Sequence, residues 1–480
     1  MTQKNFIKKI GFLIAIALFA SSCLETAVIT PNPNPTESPS SDKFSGRATT
    51  TNTTPTAKTP LPLKVVTQEP VEQGSITVWH PWSGEYAAVF EELAATYINE
   101  NEPNYPFRVE SHADPQKLIA DFNTAIDENF AIPDIIISTH DSLHDWEERL
   151  GLFFDFNTYY LSEEEGFDQE FLNSIIPTFW NIDTVNGKRI GIPTYETGYF
   201  LFYNQTWAQE LGFKDYPKTT DEFQEQICRA SINNLNDVEL ENNGTGGWIY
   251  TNQPVSMYAW MKAYEGGTLL NNRQQPILSE DGNIQSMTFL YDQYINDCAW
   301  LGKQTHPYQY FSNRNALAYS GSLEDISRQL YANEIQGSED NWRLIPYPSG
   351  QSKPIVITQG FSYALIEKDS TRSLAAWNFI KAMTQPEVQA QLINLNQTFP
   401  VSTEVIPFVN EENPEFLFWE QTLQYLPFVD PLPPQAGWST FQAIISDLGW
   451  QLIQYTTQRE NISQLLTQGE EIYRDFQNQQ

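Results

Sequence analysis

Two short polar stretches in this sequence carry side chains suited to chemistry. HPWSGE at residues 80–85 and THDS at residues 139–142 each follow an apolar run typical of a buried β-strand. They offer an indole, hydroxyls and carboxylates, from Trp82, Ser83 and Asp141, but no nucleophile beside a paired base. Ser83 has a second possible role as the N-cap of the helix that follows. The two stretches therefore favour binding of a polar ligand over covalent catalysis.

Histidines in the second stretch raise the alternative of a metal site. His140 and His144 are four residues apart, beside Asp141 and Asp145, and would share one face of a helix. At the start of a helix, however, His and Asp are ordinary residues of the polar face. No Cys/His cluster of the sequence has zinc spacing either. We therefore predict neither a metal nor another cofactor.

The elements that would position these stretches alternate along the chain. Residues 76–79, 107–110 and 134–138 are predicted strands, and three- and four-residue spacing of apolar side chains predicts helices. This alternation indicates an α/β fold with parallel strands and right-handed crossovers. In such sheets, ligands bind beyond the carboxyl ends of the strands, where both polar stretches lie. The helical spacing is carried by Tyr86, Phe90, Leu93 and Tyr97, by Leu118, Phe122 and Ala125, by Phe441, Ile444, Ile445, Leu448, Leu452 and Tyr455, and by Ile462, Leu465, Leu466, Ile472 and Phe476.

The N-terminal segment resembles an export signal. Three lysines precede or adjoin an apolar run at residues 10–20, which is too short to span a bilayer comfortably. The next residues, ASSC ending at Cys23, resemble the lipobox of bacterial lipoproteins, although an ordinary signal peptide before a chance cysteine gives a similar pattern. We predict a signal peptide at residues 1–22, lipidation of Cys23, and a disordered stalk rich in Pro, Ser and Thr at residues 23–73. The rest of the protein would then work outside the cytoplasm, tethered to a membrane.

Length and charge limit what the remaining body, residues 74–480, can be. About 400 residues exceed what one hydrophobic core usually serves, so two domains are predicted. The chain has 27 Lys and Arg against 60 Asp and Glu, a net charge of −33; without the three N-terminal lysines it is 24 against 60, or −36. So acidic a surface argues against nucleic acid or anionic lipid as a partner. After Cys23 only Cys228 and Cys298 remain, and the sequence leaves open whether they pair.

Six segments of the body, in this order, resemble a known family. They are ITVWHPWSGE, PDIIISTHDSLHDWEERLGLFFDF, GKRIGIPTYETGYFLFYNQTWAQELGF, NALAYSGSLEDI, ITQGFSYALIEKDS and LAAWNFIKAMTQPEVQAQL. They are similar to extracellular solute-binding protein family 1, the carbohydrate-binding lipoproteins of ATP-binding cassette (ABC) importers, which include the maltodextrin-binding proteins. The resemblance extends from about Ile76 to Phe476, nearly the whole body.

The family resemblance implies a two-lobed α/β fold of the periplasmic-binding-protein type (type II). Each lobe would be a largely parallel sheet flanked by helices, and the ligand cleft would lie between the lobes. The chain would first cross between lobes near residues 193–197, and cross again near Gly360 and Phe361. The predicted limits are residues 74–196 and 361–402 for lobe 1, and residues 197–360 and 403–480 for lobe 2.

The same resemblance suggests which residues contact ligand. Asp141 matches an aspartate that accepts hydrogen bonds from sugar hydroxyls in maltodextrin-binding proteins, and Glu196 lies at the first crossing. Residues 320–322 resemble a Ser-Gly-Pro-Trp turn but lack both Pro and Trp; Glu324 and Asp325 follow instead, which removes one stacking platform. The predicted ligand-contact residues are Trp82, Ser83, Asp141, Tyr195, Glu196, Tyr258, Trp260, Gly321, Ser322, Gly360, Phe361 and Trp438. For each aromatic residue among them, simple packing is an open alternative.

These features predict a monomeric, lipid-anchored binding protein on the outer face of the cytoplasmic membrane. It would capture a neutral sugar or oligosaccharide by hinge closure and deliver it to the permease of an ABC importer. Glycerol-phosphate esters are less expected, because the candidate loops lack arginine and lysine. No nucleic acid is expected as a partner.

Two other functions stay open from the sequence. One is a sensory or adhesive lipoprotein that binds a carbohydrate without feeding a transporter. The other is a glycoside hydrolase, which would use two carboxylates about 5 to 9.5 Å apart. Asp141, Glu196 and Glu85 have the required chemistry, but nothing marks one of them as the acid. We therefore predict that the protein is not an enzyme.

Overall fold

The computed structural model of the protein describes residues 74–101, 103–271, 275–351, 353–435 and 437–478. The predicted signal peptide, lipidated Cys23 and stalk lie outside the described residues. Strands and helices alternate as predicted, and the α/β fold class is confirmed. The strands are β1 (Ile76–His80), β2 (Phe107–Ser111), β3 (Ile135–Thr139), β4 (Thr184–Val185), β5 (Lys188–Arg189), β6 (Ile192–Asn204), β7 (Gly246–Ile249), β8 (Ala299–Trp300), β9 (Ala316–Ser322), β10 (Trp342–Ile345), β11 (Val356–Leu365) and β12 (Val429–Pro431).

Local capping signals set the starts of several helices. Asp114 accepts a hydrogen bond from the Lys117 backbone N–H at the start of the helix Pro115–Asp127, and Thr219 forms a capping box with Glu222 at the start of the helix Thr220–Asn236. The helices are α1 (Gly84–Asn101), α2 (Pro115–Asp127), α3 (His140–Leu150), α4 (Gln169–Ser174), α5 (Pro177–Trp180), α6 (Gln205–Glu210), α7 (Thr220–Asn236), α8 (Pro254–Ala263), α9 (Asp281–Ile295), α10 (Tyr308–Ser312), α11 (Ile326–Gln336), α12 (Ser370–Met383), α13 (Pro386–Asn396), α14 (Phe416–Leu423), α15 (Trp438–Leu452) and α16 (Ile462–Gln477).

One mixed sheet of ten strands connects the two lobes. Its order is β2-β1-β3-β11-β6-β9-β7-β8, with β10 paired to β6 and β12 to β11. The β2-β1-β3 side, which we call lobe 1, and the β9-β7-β8 side, which we call lobe 2, are each parallel. Between them β11 and β6 run antiparallel to each other and to their outer neighbours. The predicted parallel sheets are therefore present, but they are joined into one sheet by two long shared strands.

The two crossing segments of the sequence lie inside these shared strands. Residues 193–197 fall within β6, and Gly360 and Phe361 lie at the middle of β11. The strands pair from Tyr199 opposite Ile357 to Ile192 opposite Tyr363, with an irregularity after Phe361. The exact limits predicted for the lobes stay a prediction.

Each lobe has a hydrophobic core, and a third core contains residues of both sides, such as Ile393 of α13 and Tyr319 of β9. In lobe 1, α1 and α12 cover the sheet, and Phe90 and Trp377 are fully buried there. In lobe 2, α7, α8, α9, α15 and α16 enclose a larger core that includes Trp248 and Trp260. The crossing strand β6 contributes apolar side chains to both cores and so runs continuously from one lobe into the other.

A disulfide closes a long loop in lobe 2. Cys228 on α7 is bonded to Cys298, just before β8, across 70 residues of sequence. This resolves the pairing that the sequence left open. Among the described residues, no helix is long and apolar enough to cross a membrane.

Candidate ligand-binding cleft

A cavity of about 920 Å³ lies where the two lobes face each other. Lobe 1 contributes α2 and the junction of β3 with α3, and lobe 2 contributes the segment after β12 together with the start of α15. Gln359 and Gly360 of the shared strand β11 border the cavity between these walls. Its volume is within the range of about 300 to 1,000 Å³ that is usual for small-molecule sites.

Four carboxamide side chains line this cavity. Gln116 and Asn123 come from α2, Gln359 from β11 and Gln442 from α15. Asn123 uses its oxygen to accept a hydrogen bond of 2.8 Å from the Trp146 indole, which leaves its amide N–H groups for other partners. Each carboxamide can donate and accept hydrogen bonds, which matches the dual character of hydroxyl groups. Both walls and the strand between them can therefore bind a polyhydroxylated ligand.

Positive charge in the cavity wall is neutralised. Among the described lining residues the one cationic side chain in addition to His140 is Arg149, which pairs with Asp145 on the same helix at 2.7 Å. Asp141 lies close by and is partly exposed to the cavity. The lining therefore has no free guanidinium or ammonium group to hold an anionic ligand.

Asp141 is held at the first turn of α3. Burial raises the pKa of its carboxyl, and this is opposed by hydrogen bonds from the Thr139 hydroxyl and from backbone N–H groups at the helix start. The Thr139 hydroxyl also lies 2.9 Å from that of Ser142. The end of β3 therefore delivers a carboxyl group and two hydroxyls to the cavity.

Below Asp141, a buried charge network joins lobe 1 to β6. His140 donates from Nδ1 to Asp183 at 2.9 Å and from Nε2 to Glu196 at 2.7 Å. Because both ring nitrogens face carboxylates, both must carry a proton, and the ring is an imidazolium. Burial lowers the pKa of His140, but the charges of Asp183 and Glu196 raise it well above the usual value.

Asp183 also contacts the second histidine of α3. Its other carboxylate oxygen lies 3.5 Å from His144 Nε2. His144 Nε2 itself lies 3.1 Å from the Ile182 carbonyl oxygen. Burial would raise the pKa of Asp183, yet the charge and hydrogen bond of His140, together with the nearby His144, hold it far below its usual range. The two histidines that suggested a metal site thus share one buried aspartate.

Gly360 makes the close approach of β6 and β11 possible. A Cβ atom at this position would lie 2.1 Å from the Tyr195 carbonyl oxygen and 2.5 Å from Glu196 Oε1. Any other residue would push apart the two strands or displace the carboxylate that holds His140. Gly360 is therefore required by the packing beneath the cavity, in addition to bordering it.

An aromatic cluster around Trp82 follows β1 and packs against the shared strands β6 and β11. Trp82 donates from its indole to the Tyr195 hydroxyl at 3.2 Å, and its ring centroid lies 4.9 Å from that of Tyr86 and 6.2 Å from that of Phe361. Trp82 and Tyr195 are buried, at 7% and 4% exposed. Ser83 is exposed immediately before α1. This cluster packs against β6 and β11 but does not border the 920 Å³ cavity.

The predicted aromatic residues of lobe 2 lie in different surroundings. Trp438 borders the cavity at the start of α15, and Tyr258 stacks edge-on against it with centroids 5.4 Å apart. Trp260 is 0% exposed and packs among core aromatics such as Phe223 and Tyr347. The indole Nε1 of Trp438 is buried without a hydrogen-bond partner in the described part of the chain. The Trp438 side chain is only 1% exposed, and Nε1 of the core residue Trp260 lacks a partner in the same way, so this donor does not by itself mark a ligand contact.

Gly321 and Ser322 end strand β9 beside β6. Ser322 is opposite Tyr199 in the pairing, and its backbone N–H donates to Asp325 at 2.9 Å. A Cβ at Gly321 would lie 2.8 Å from the Phe202 ring, so this glycine also reflects close packing.

Three of the twelve predicted contact residues therefore border the cavity, namely Asp141, Gly360 and Trp438. Glu196 lies just beneath it, bonded to His140. Asp183 could not be predicted from the sequence, because its partner His140 lies 43 residues earlier and no local pattern links them. The lining glutamines were also missed, since glutamine is common on exposed helix faces.

Comparison with known proteins agrees with this architecture. Residues 92–417, which are 326 of 480, match the family described as bacterial extracellular solute-binding protein. The chain belongs to this family. The resemblance recognised in the sequence is thereby confirmed for this solute-binding protein. No curated protein sequence matches it.

Solved structures share the fold at low sequence identity. The sugar-binding protein MalE from Xanthomonas citri has a TM-score of 0.69 at 16% identity, covering 84% of this chain and 98% of that one. UgpB from Mycobacterium tuberculosis, solved with glycerophosphocholine, has a TM-score of 0.66 at 15% sequence identity. The match covers 84% of this chain and 99% of UgpB. The GacH receptor of Streptomyces glaucescens, solved unliganded and with acarbose, has a TM-score of 0.65 at 15% sequence identity. The match covers 84% of this chain and 98% of GacH. These similarities confirm the two-lobed fold.

Proposed function

We propose that this solute-binding protein captures a neutral sugar or oligosaccharide between its lobes and delivers it to the permease of an ABC importer. The observation that carries the proposal is the polar lining of the inter-lobe cavity, with carboxamides on both walls and on β11 and no unpaired cation among its described residues. Sugar hydroxyls both donate and accept hydrogen bonds, so carboxamides and carboxylates bind them well. MalE and GacH, which share the fold, are a sugar-binding protein and an acarbose-binding receptor.

Two side chains are placed to orient such a ligand. The Asp141 carboxylate would accept hydrogen bonds from hydroxyls, at an edge where β3 ends and α3 begins. Across the cavity, Trp438 borders the site, where the edge of its ring can pack against a C–H face of the sugar.

The shared strands supply the mechanism. β6 and β11 are the connections that bend when the lobes open and close, while each lobe keeps its own core. A ligand that contacts both walls binds the closed form more tightly than the open one, and so shifts the population toward closure. We propose no covalent chemistry, since Glu196 is buried and engaged by His140.

A thermal-shift screen of the full chain tests the cargo. The panel is maltotriose, cellotriose and tagatose as sugars, with glycerophosphocholine, phosphate and spermidine as other solutes. A ligand that binds only the folded form raises the melting temperature. We expect a rise with at least one sugar and none with phosphate or spermidine. A rise only with non-sugars would overturn the sugar proposal.

Variants of α3 test the site. Asp141→Ala should weaken sugar binding at least tenfold, since a hydrogen bond to a charged group contributes about 1.5 to 3 kcal/mol. Glu148→Ala, an exposed carboxylate on the same helix, serves as the matched control and should bind like wild type. Equal affinity of both variants would show that the ligand does not contact Asp141.

We also propose that Cys23 carries a lipid that holds the protein on the outer face of the membrane. The support is the ASSC sequence after an apolar segment, and a family described as extracellular. Cys23→Ser should move the protein from the membrane fraction to the soluble extracytoplasmic fraction. A variant that stays with the membrane would refute lipidation at this residue.

A further inference from the structure

Glu196 lies where connections between the two lobes meet. On the crossing strand β6 it is opposite Gly360 of β11, the second shared strand. On its other side, its backbone N–H donates to the Phe399 carbonyl at 3.2 Å, and its carbonyl accepts from the Phe399 N–H at 2.7 Å. Three extended segments are therefore paired side by side at this one residue.

The segment around Phe399 is itself a third connection between the lobes. Before it, α13 places Leu392 in the core of lobe 1. After it, α14 stacks Phe418 on Trp342 of β10, with ring centroids 3.9 Å apart. Strand β10 pairs with the end of β6 that also pairs with β9 of lobe 2. Glu196 is therefore at the junction of three segments that lead from one lobe to the other.

The side chain of Glu196 is buried at this junction with a single hydrogen-bonded partner among the described residues. Its Oε1 accepts from His140 Nε2 at 2.7 Å, whereas Oε2 is buried without a partner in that part of the chain. The residue is 0% exposed. A buried carboxylate is costly unless it is paired, so moving β6 away from His140 would leave a charge uncompensated. The ion pair therefore resists separation of β6 from α3.

His140 connects the junction to the wall of the cavity. It is the first residue of α3 and is followed by Asp141, whose carboxyl group lines the cavity. The other ring nitrogen, Nδ1, donates to Asp183 at 2.9 Å, so the ring has no donor left for a ligand. His140 can therefore hold the first turn of α3 against β6, but it cannot itself donate a hydrogen bond to a sugar.

We propose that Glu196 and His140 are positioning residues that couple closure of the lobes to ligand contact at Asp141. The inference rests on the proposed function and gives a role to two buried residues beneath the cavity. When β6 bends, the ion pair makes the first turn of α3 move with it, so that Asp141 meets the ligand as the lobes close. Without the pair, a ligand still reaches Asp141 in the open form but gains less from closure. It should therefore dissociate faster, whereas its association rate should be unchanged.

Stopped-flow fluorescence of the full chain tests the coupling with maltotriose, cellotriose and tagatose. The tryptophan signal reports association and dissociation, since Trp438 borders the cavity. Glu196→Gln keeps the shape of the side chain and an acceptor oxygen but removes the charge, and His140→Gln removes the imidazolium. The matched control is His144→Gln. His144 is on the same helix and lies 3.5 Å from the same buried Asp183, but it has no hydrogen bond or ion pair with β6 in the described part of the chain.

The expected signature is a change in one rate only. Glu196→Gln and His140→Gln should each raise the dissociation rate of the recognised sugar about tenfold, because a hydrogen bond between charged groups is weakened or lost. The double variant should bind no more weakly than either single variant, since both changes break the same pair. His144→Gln should keep both wild-type rates, even where its melting temperature falls. Circular dichroism confirms folding, and Glu196→Gln, the conservative variant, decides alone if His140→Gln does not fold.

Each outcome separates the inference from the proposed function. A lower melting temperature in Glu196→Gln with wild-type rates would make the pair purely structural, and would leave the sugar-binding function standing. Losses that multiply in the double variant, or an equal loss in His144→Gln, would also overturn the coupling through this pair. If wild type binds none of the three sugars, the proposed function fails and the inference fails with it.

Discussion

The carboxyl of Glu324, in the short turn after β9, has no hydrogen bond or ion pair with any described residue and should cost the folded protein stability at neutral pH. Its ordinary pKa is 4.5, and burial and the charge of Asp325 raise the pKa to about 7 in the folded protein. Between these values the unfolded chain releases a proton that the folded chain retains, so stability falls as pH rises from about 4.5 to 7 and is constant above. A difference of 2.5 units at 1.36 kcal/mol each gives about 3 kcal/mol, and water that reaches the carboxyl reduces it. Glu324→Gln cannot ionise, so it should be more stable than wild type by up to this amount at pH 8.

Urea unfolding of the ligand-free protein measures this effect. Fluorescence of the many tryptophans reports unfolding, and the free energy is extrapolated to water at pH 4.5, 5.5, 6.5 and 8. Wild type and Glu324→Gln should agree at pH 4.5 and then separate progressively up to about pH 7. The control Glu334→Gln removes an exposed charge and should follow wild type at every pH.

A pH-independent difference between wild type and Glu324→Gln would refute this reasoning. It would mean that the carboxyl titrates at its ordinary pKa and is therefore hydrated or paired. A variant that loses stability as pH rises relative to wild type would be stronger evidence against it, because the ionised carboxylate would then stabilise the fold.

Three further perturbations test other parts of the structure. Gly360→Ala should destabilise the folded protein by about 2 kcal/mol, because the shared strands β6 and β11 must separate. Gly350→Ala is the control and should leave stability unchanged, since its Cβ would meet no atom within 4 Å. Thermal unfolding compares the two variants. Asp183→Asn removes one partner of a buried imidazolium and should cost about 3 kcal/mol in urea unfolding; an unchanged midpoint would show that the network is not stabilising. Replacing both Cys228 and Cys298 by Ser opens a 70-residue loop and should cost about 4 kcal/mol, with no further loss on adding reductant.

The regular elements of lobe 1 were predictable because burial imposes a period on the sequence. The strand predicted at residues 134–138 matches β3 within one residue, and the predicted three- and four-residue spacing from Tyr86 to Tyr97 lies within α1. By contrast, α8 is buried on nearly all sides, so its sequence has no polar face. Nothing in that sequence separates Tyr258, which touches Trp438 at the cavity, from Trp260, which is enclosed in the core.

The candidate site was harder to predict because its geometry depends on distant pairings. Asp141 could be recognised from its place after a strand and from the family resemblance. The network beneath it needs Asp183 and Glu196, which lie 43 and 56 residues beyond His140. The free state of Glu324 follows from what its neighbour Asp325 binds, and that contact requires the fold around β9. No single segment of sequence contains these relations.

The strand order of lobe 1 also has a consequence for how this protein is made. β3 pairs with β11, whose last paired residue, Leu365, comes 226 positions after Thr139, the last residue of β3. At about 5 to 20 residues per second, a ribosome needs roughly 10 to 45 seconds to supply that missing neighbour. Until then, the apolar edge of β3 has no partner and lobe 1 cannot close. Lobe 1 can therefore complete its sheet only after β11 has been made, a delay that would suit export in the unfolded state if the proposed location outside the cytoplasm holds.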